Sequence, residues 1–135
     1  MTGAEIRWVL ESVVLALHDE QIAEHGGAAG LRDESLLLSA LARPRNMAAY
    51  GDPDRADLAA AYTVGIARNR AFVDGNKRTA IVVAAGVFLP LNDYELNASN
   101  EDIVRTMLAV ADGSLAEDRL AAWFREWMRP IVDAP

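Results

Sequence analysis

At 135 residues, 52% of them hydrophobic and 24% charged, the chain is long enough for one globular domain with a good core and too apolar to be disordered. The absence of cysteine excludes a disulfide framework and a thiolate metal site, and fits a reducing cytoplasm. A net charge of −7 argues against direct binding of nucleic acid, no basic region leads into an apolar core as a signal peptide would, and the longest apolar run, residues 79–91, is too short to cross a membrane.

Nearly every segment reads as helix, so an all-α single-domain bundle of about six helices is expected. The first helix is expected over about residues 4–24. Ile6, Val9, Leu10, Val13, Val14 and Leu17 follow the helical period, and Gly26-Gly27 stops it. A second is expected from an N-cap at Asp33 to Ala42, carrying Leu36, Leu37 and Leu41 and ended by Pro44. Residues 43–53 read as a loop punctuated by Pro44, Gly51 and Pro53, with Met47 and Tyr50 apolar enough to fold over something. Asp52 and Pro53 suit the N-cap and first position of a third helix, lined by Leu58, Tyr62 and Ile66.

A fourth helix is expected from about Gly75 to Phe88 or Leu89. It is apolar on every side and so reads as the buried central helix. Ser99 to Asp102 open a fifth helix that Gly113 closes. Ser114 and Glu117 have the spacing of a capping box for a sixth, which carries Leu120, Trp123, Phe124 and Trp127. Trp8, Trp123 and Trp127 are expected in the core or on a partner-facing patch, and the acids of residues 117–126 on a solvated face. The chain divides into a domain over residues 1–130 and a frayed tail over 131–135.

The most informative stretch is Phe72-Val73-Asp74-Gly75-Asn76-Lys77-Arg78-Thr79. An acid, a glycine, an amide and two adjacent cations lie between two apolar segments. That suits a loop entering a helix N-terminus, where unpaired backbone N–H groups and the helix dipole attract anions. Lys77 and Arg78 add full charge, and arginine offers a planar fork that matches phosphate oxygens. Asp74 suits a divalent cation shared with those oxygens. Arg68, Arg70, Lys77 and Arg78 against Asp74 make a local +3 in a chain whose remainder carries −10, which points to a small anionic ligand. The competing reading is a helix cap with solvated cations. His18 and His25, without clustered acids, read as surface or helix-end polarity, with bracing of a neighbouring loop as the alternative for His18.

The stretch Arg70-Ala71-Phe72-Val73-Asp74-Gly75-Asn76-Lys77-Arg78-Thr79-Ala80 resembles the central motif of the Fic/Doc family, and its Asn-Lys-Arg-Thr-Ala ending is similar to the Doc (death-on-curing) branch. His18-Asp19-Glu20-Gln21, Gly30-Leu31-Arg32-Asp33, Ser39-Ala40-Leu41-Ala42-Arg43-Pro44, Leu91-Asn92 and Tyr94-Glu95-Leu96 look like Doc-type sequence in the same order, so the resemblance covers almost the whole chain.

The resemblance implies the Fic/Doc fold, with its central helix following the anion-binding loop. It implies a toxin of a toxin–antitoxin pair that moves the γ-phosphate of ATP, with Mg²⁺, onto a threonine of elongation factor Tu and so blocks translation in the cytoplasm. An antitoxin of the Phd type would neutralise it; no inhibitory Ser/Thr-x-x-x-Glu-Gly-Asn-like motif lies in this chain. Carried over by position, Asp74 would hold Mg²⁺. Gly75, Asn76 and Lys77 would form the anion hole, Arg78 would clamp phosphate, and Phe72 would belong to the nucleotide site. Residues 43–53 would be the flap that places the target.

The family's catalytic histidine falls on Arg70. Histidine suits removal of a proton from the target hydroxyl, whereas arginine stays protonated. Loss of a general base typically costs roughly 10²–10⁴ in rate. Arg70 is therefore expected to keep phosphate binding and to attenuate turnover. It stands there either as a replacement selected or engineered against a lethal activity or as the mark of a natural pseudoenzyme, and the intact remainder of the site favours the replacement. The alternatives are an adenylyltransferase of the Fic type, against which Lys77 counts, and a non-catalytic module that binds nucleotide or antitoxin.

Overall fold

The computed structural model of the chain describes residues 5–132. Six helices and one small two-stranded ribbon make the fold: α1 (Glu11–His25), α2 (Glu34–Tyr50), α3 (Arg55–Asn69), α4, β1 (Tyr94–Leu96), α5 (Asn100–Asp112), α6 (Glu117–Trp127) and β2 (Met128–Pro130). Helix α4 is continuous but not uniform. It opens as an α-helix over Asn76–Ile81, widens into a π-helix over Val82–Phe88 and closes over Leu89–Leu91. No helix among the described residues is long and apolar enough to cross a membrane.

Helix α3 is the axis of the bundle. Its ten residues from Leu58 to Ala67 are all buried, which their small and apolar side chains permit. Gly65 lets α2 approach: a Cβ at this position would lie 3.2 Å from the Ala40 Cβ. Tyr62 and Phe88 pack at 5.0 Å between ring centroids, and Trp8 stacks on the far side of Phe88. Helix α4 buries Val83, Ala84 and Phe88, but Gly86 reaches the surface, so its burial is one-sided rather than complete.

Several boundaries differ from the sequence-based expectation, each for a tertiary reason. Helix α1 begins at Glu11; Ala4, its expected start, lies outside the described residues. Residues 6–10 are extended because other parts of the chain hold them so. The Arg7 N–H donates to Asn92 Oδ1 at 3.0 Å, Asn92 Nδ2 returns a bond to the Arg7 carbonyl, and the Val9 N–H donates to the Tyr62 hydroxyl. Helix α2 has its N-cap at Asp33 as expected, yet runs through buried Pro44 to Tyr50. An interior proline costs about 3 kcal/mol, so the turns beyond it need anchors. Arg45 lies over the Trp8 ring at 5.5 Å and Met47 packs on the core, while just before the proline Arg43 pairs with Glu117.

Helix α3 is capped two residues later than expected, by Asp54 in a reciprocal box with Asp57. Ser99 and Gly113 bound α5 as expected. The expected capping box at Ser114 does not form. Ser114 instead completes the turn after α5, its N–H donating to Asp112, and Ala116 precedes α6. The ribbon was not foreseen. Tyr94, Glu95 and Leu96 pair antiparallel with Pro130, Arg129 and Met128, so the chain is ordered as far as Pro130; residues 133–135 of the expected tail lie outside the described residues.

Glu11 and Glu34, in the first turns of α1 and α2, face each other. A hydrogen bond from Glu34, with partial burial and the like charge, pushes the Glu11 carboxyl above its usual range. A carboxyl raised in the folded state stabilises it below its ordinary value, and that contribution is lost as pH rises through the raised value. Glu11→Gln should therefore reduce the loss of stability as pH rises above the ordinary carboxyl range, read by urea denaturation at each pH. An unchanged pH profile would show that the Glu11 carboxyl is not raised in the fold.

Candidate active site

The loop between α3 and α4 is shaped by both ends. Arg70 terminates α3 in the left-handed conformation, φ 53° and ψ 50°. Asp33 and Arg32 donate their N–H groups to the Ala71 carbonyl, and Val73 donates to the Gly30 carbonyl, so residues 30–33 run along residues 71–73 as a short antiparallel pairing. Gly75 then turns the chain with φ 76° into α4; any side chain there would be strained and would press on Ile22 at 3.2 Å.

The expected site residues divide into those that line a cleft and those that support it. Arg70, Asp74, Gly75, Asn76, Lys77 and Arg78 border one cleft of about 470 Å³. Its opposite wall is apolar: Ile81 from α4, and Ile103, Val104, Met107 and Leu108 from α5. The N–H groups of the first turn of α4 lack acceptors within the helix, and they open beside Lys77 and Arg78, which are exposed. With Arg70 these give three cations against the single carboxylate of Asp74, a field that favours an anion.

Phe72 does not line the cleft. It is 2% exposed and lies beneath the loop, stacked on His18 with ring centroids 3.8 Å apart. The Asn76 amide is also turned inward. Its Oδ1 accepts from the Phe72 N–H and its Nδ2 donates to the Phe72 carbonyl, both at 3.0 Å, so its side chain shapes the loop and only its backbone faces an incoming anion. Arg68, counted with the local cations in the sequence, leaves the cluster. Its guanidinium donates to the Val110 and Leu115 carbonyls and caps the end of α5.

Among the described residues, two side chains from outside the motif hydrogen-bond to backbone carbonyls of the loop. His18 is buried, and its Nε2 donates to the Asp74 carbonyl at 2.7 Å, so it braces the loop rather than lying at the surface. Arg32 donates through Nε, at 3.0 Å, and through its second guanidinium nitrogen to the Arg70 carbonyl. Sequence patterning contained no signal for Arg32, since its partner is a backbone atom 38 residues away.

Asp74 accepts the Ala28 N–H on Oδ2 at 3.2 Å, which leaves Oδ1 for a cation. Among the described residues no group of three or more His, Cys, Asp or Glu could hold a metal. One carboxylate among cations suits Mg²⁺ carried by phosphate oxygens, the usual way this ion binds a nucleotide site.

The sequence comparisons agree with this geometry. The model of the Fic/DOC family matches residues 8–88, which run from within the extended N-terminal segment through the loop and most of α4. "Protein kinase doc" of Escherichia phage P1 is 30% identical over 121 residues, 89% of this chain and 94% of that protein. "Toxin Doc" of Mycolicibacterium smegmatis (strain ATCC 700084 / mc(2)155) is 43% identical over 103 residues, 72% of this chain and 77% of that protein. With its all-α fold and a motif loop opening into one cationic cleft, the chain belongs to the Fic/DOC family.

Proposed function

We propose that the chain is a Doc-type toxin whose cleft binds Mg²⁺·ATP and whose reaction, transfer of the γ-phosphate to a threonine hydroxyl of elongation factor Tu, is attenuated by Arg70. The observation that carries the reading is the set of three cations and the open helix N-terminus around one carboxylate. That set matches a polyphosphate with one divalent ion. The resemblance of most of the chain to two Doc proteins, one named a kinase and the other a toxin, supports the same reading.

In this reading the α4 N–H groups, Lys77 and Arg78 hold the phosphates and take up the charge that develops on them. Asp74 holds Mg²⁺, which when bound neutralises phosphate charge. The target hydroxyl must lose a proton as it attacks. Arg70 stands where an acceptor is needed, and a guanidinium supplies only donors. The flap comprises the last turns of α2 and the residues leading to α3. Tyr50, 91% exposed at the end of α2, is the side chain there most available to a target. The neutralising partner is an antitoxin of the Phd type, and the setting is the cytoplasm.

The test supplies ATP labelled at the α or the γ position to the Arg70→His protein and to the unaltered chain, each with Mg²⁺ and elongation factor Tu. The expected result is γ-label on the target with the histidine variant alone. The α-label on the target would mean adenylyl transfer. ATP binding without transfer from either position would leave a binding module.

Mg²⁺ alone should show no saturable binding, because a single carboxylate among three cations is a poor site for a free cation, and should bind once ATP is present. Asp74→Asn should abolish the Mg²⁺-dependent part of ATP affinity in calorimetric titrations. Saturable binding of Mg²⁺ without nucleotide would contradict this account.

A further inference from the structure

We infer that Arg32 and His18 are positioning residues that hold the two ends of the motif loop and so aim the Arg70 and Asp74 side chains into the cleft. Backbone pairing accounts for the middle of the loop only: Ala71 and Val73 bond to residues 30–33. The residues on either side, Arg70 and Asp74, carry the functional side chains, and each has its carbonyl held by a side chain from elsewhere.

At the first end, Arg70 is a non-glycine residue in the left-handed region, a conformation that persists only where its surroundings hold it. Arg32 places both arms of its guanidinium on the Arg70 oxygen, a charge-assisted fork that fixes direction as well as distance. At the other end, the His18 ring is fixed by stacking at 9° on Phe72, so the direction of its Nε2 donor is set before it meets the Asp74 oxygen. Neither side chain borders the cleft, so their influence on a ligand passes through the loop. A lysine in place of Arg32 would keep the charge near the cleft and lose the fork, which separates positioning from electrostatics.

Two measurements test this, and only the second rests on the phosphotransfer reading. In hydrogen exchange on the unaltered background, Arg32→Ala should reduce protection of the Asp33 and Val73 amides about tenfold and leave residues 62–66 of α3 unchanged. In the Arg70→His background, Arg32→Lys and His18→Phe should each lower kcat about 10- to 100-fold with KM for ATP changed less than about threefold, and lysine should do no better than alanine. His18→Phe keeps the stacked ring and removes only the donor, so loss of folding is not the expected route. Unchanged exchange at Asp33 and Val73 would overturn the inference, as would full activity of Arg32→Lys. If Arg70→His itself transfers no phosphate, the phosphotransfer reading fails, and exchange decides the positioning roles alone, His18→Phe then being read by the same loss of protection at Val73.

Discussion

Arg70→His should raise the rate of phosphate transfer by roughly 10²–10⁴, the usual contribution of a positioned general base. Three features make this the largest functional effect expected of one substitution. The backbone at position 70 is already left-handed, and histidine tolerates that region better than most residues. The position borders the cleft beside Asp74, Lys77 and Arg78. Lys77 and Arg78 remain at the cleft, so the change adds a proton acceptor and leaves two of the three cations in place. Affinity for ATP should fall modestly, since one of three cations becomes largely neutral, and kcat should rise with pH through the imidazole titration. Arg70→Gln is the control. It removes the same charge and supplies no base, so it should weaken ATP binding without raising the rate. Equal gains from glutamine and histidine would mean that Arg70 obstructs the cleft rather than lacking a base.

Asn76→Ala should be the most damaging single change to the loop, costing about 2–5 kcal/mol in urea denaturation, because both Phe72 backbone groups would lose their partner in a place water does not reach. A loss of that size is a large part of the stability of a typical domain. Asn76→Asp keeps an acceptor for the Phe72 N–H and places a carboxylate at a helix N-terminus, so it should destabilise less than alanine. It should nevertheless weaken ATP binding more, because a negative charge would enter the base of the anion site. A cost below about 1 kcal/mol for alanine would show that the loop holds its shape without this pair.

The parts of the fold visible in the sequence are those whose cause is local. The Asp33 and Ser99 caps, the Gly26 and Gly113 stops, and the apolar period of α6 depend on residues within a turn or two, and the structure has them where the pattern puts them. The misplaced boundaries have distant causes. Residues 6–10 carry a helical period but bond to Tyr62 and Asn92 instead. Pro44 reads as a stop, yet contacts of Arg45 and Met47 hold α2 beyond it. The site follows the same division. The acid, glycine and cations of the loop are neighbours in sequence, so their meeting at one cleft was legible. The inward direction of the Asn76 amide, the burial of Phe72 and the departure of Arg68 to cap α5 depend on how the helices pack.

The clasp between Arg7 and Asn92 bears on how the molecule comes into being on the ribosome. The extended segment at the front of the domain is held by a side chain 85 residues further on, just before β1. Helices α2 and α3 can pair as soon as both have emerged, because they are neighbours in sequence. Tyr62 can hold Val9 earlier, but the clasp on Arg7 must wait until Asn92 has been synthesised and has cleared the exit tunnel. Contacts of such long sequence separation form slowly, and apolar surface stays open meanwhile. The nascent chain therefore passes through a stage in which α3 and the loop exist but the strap over Phe88 and Tyr62 is not fully docked, and that interval leaves apolar surface open to chaperones.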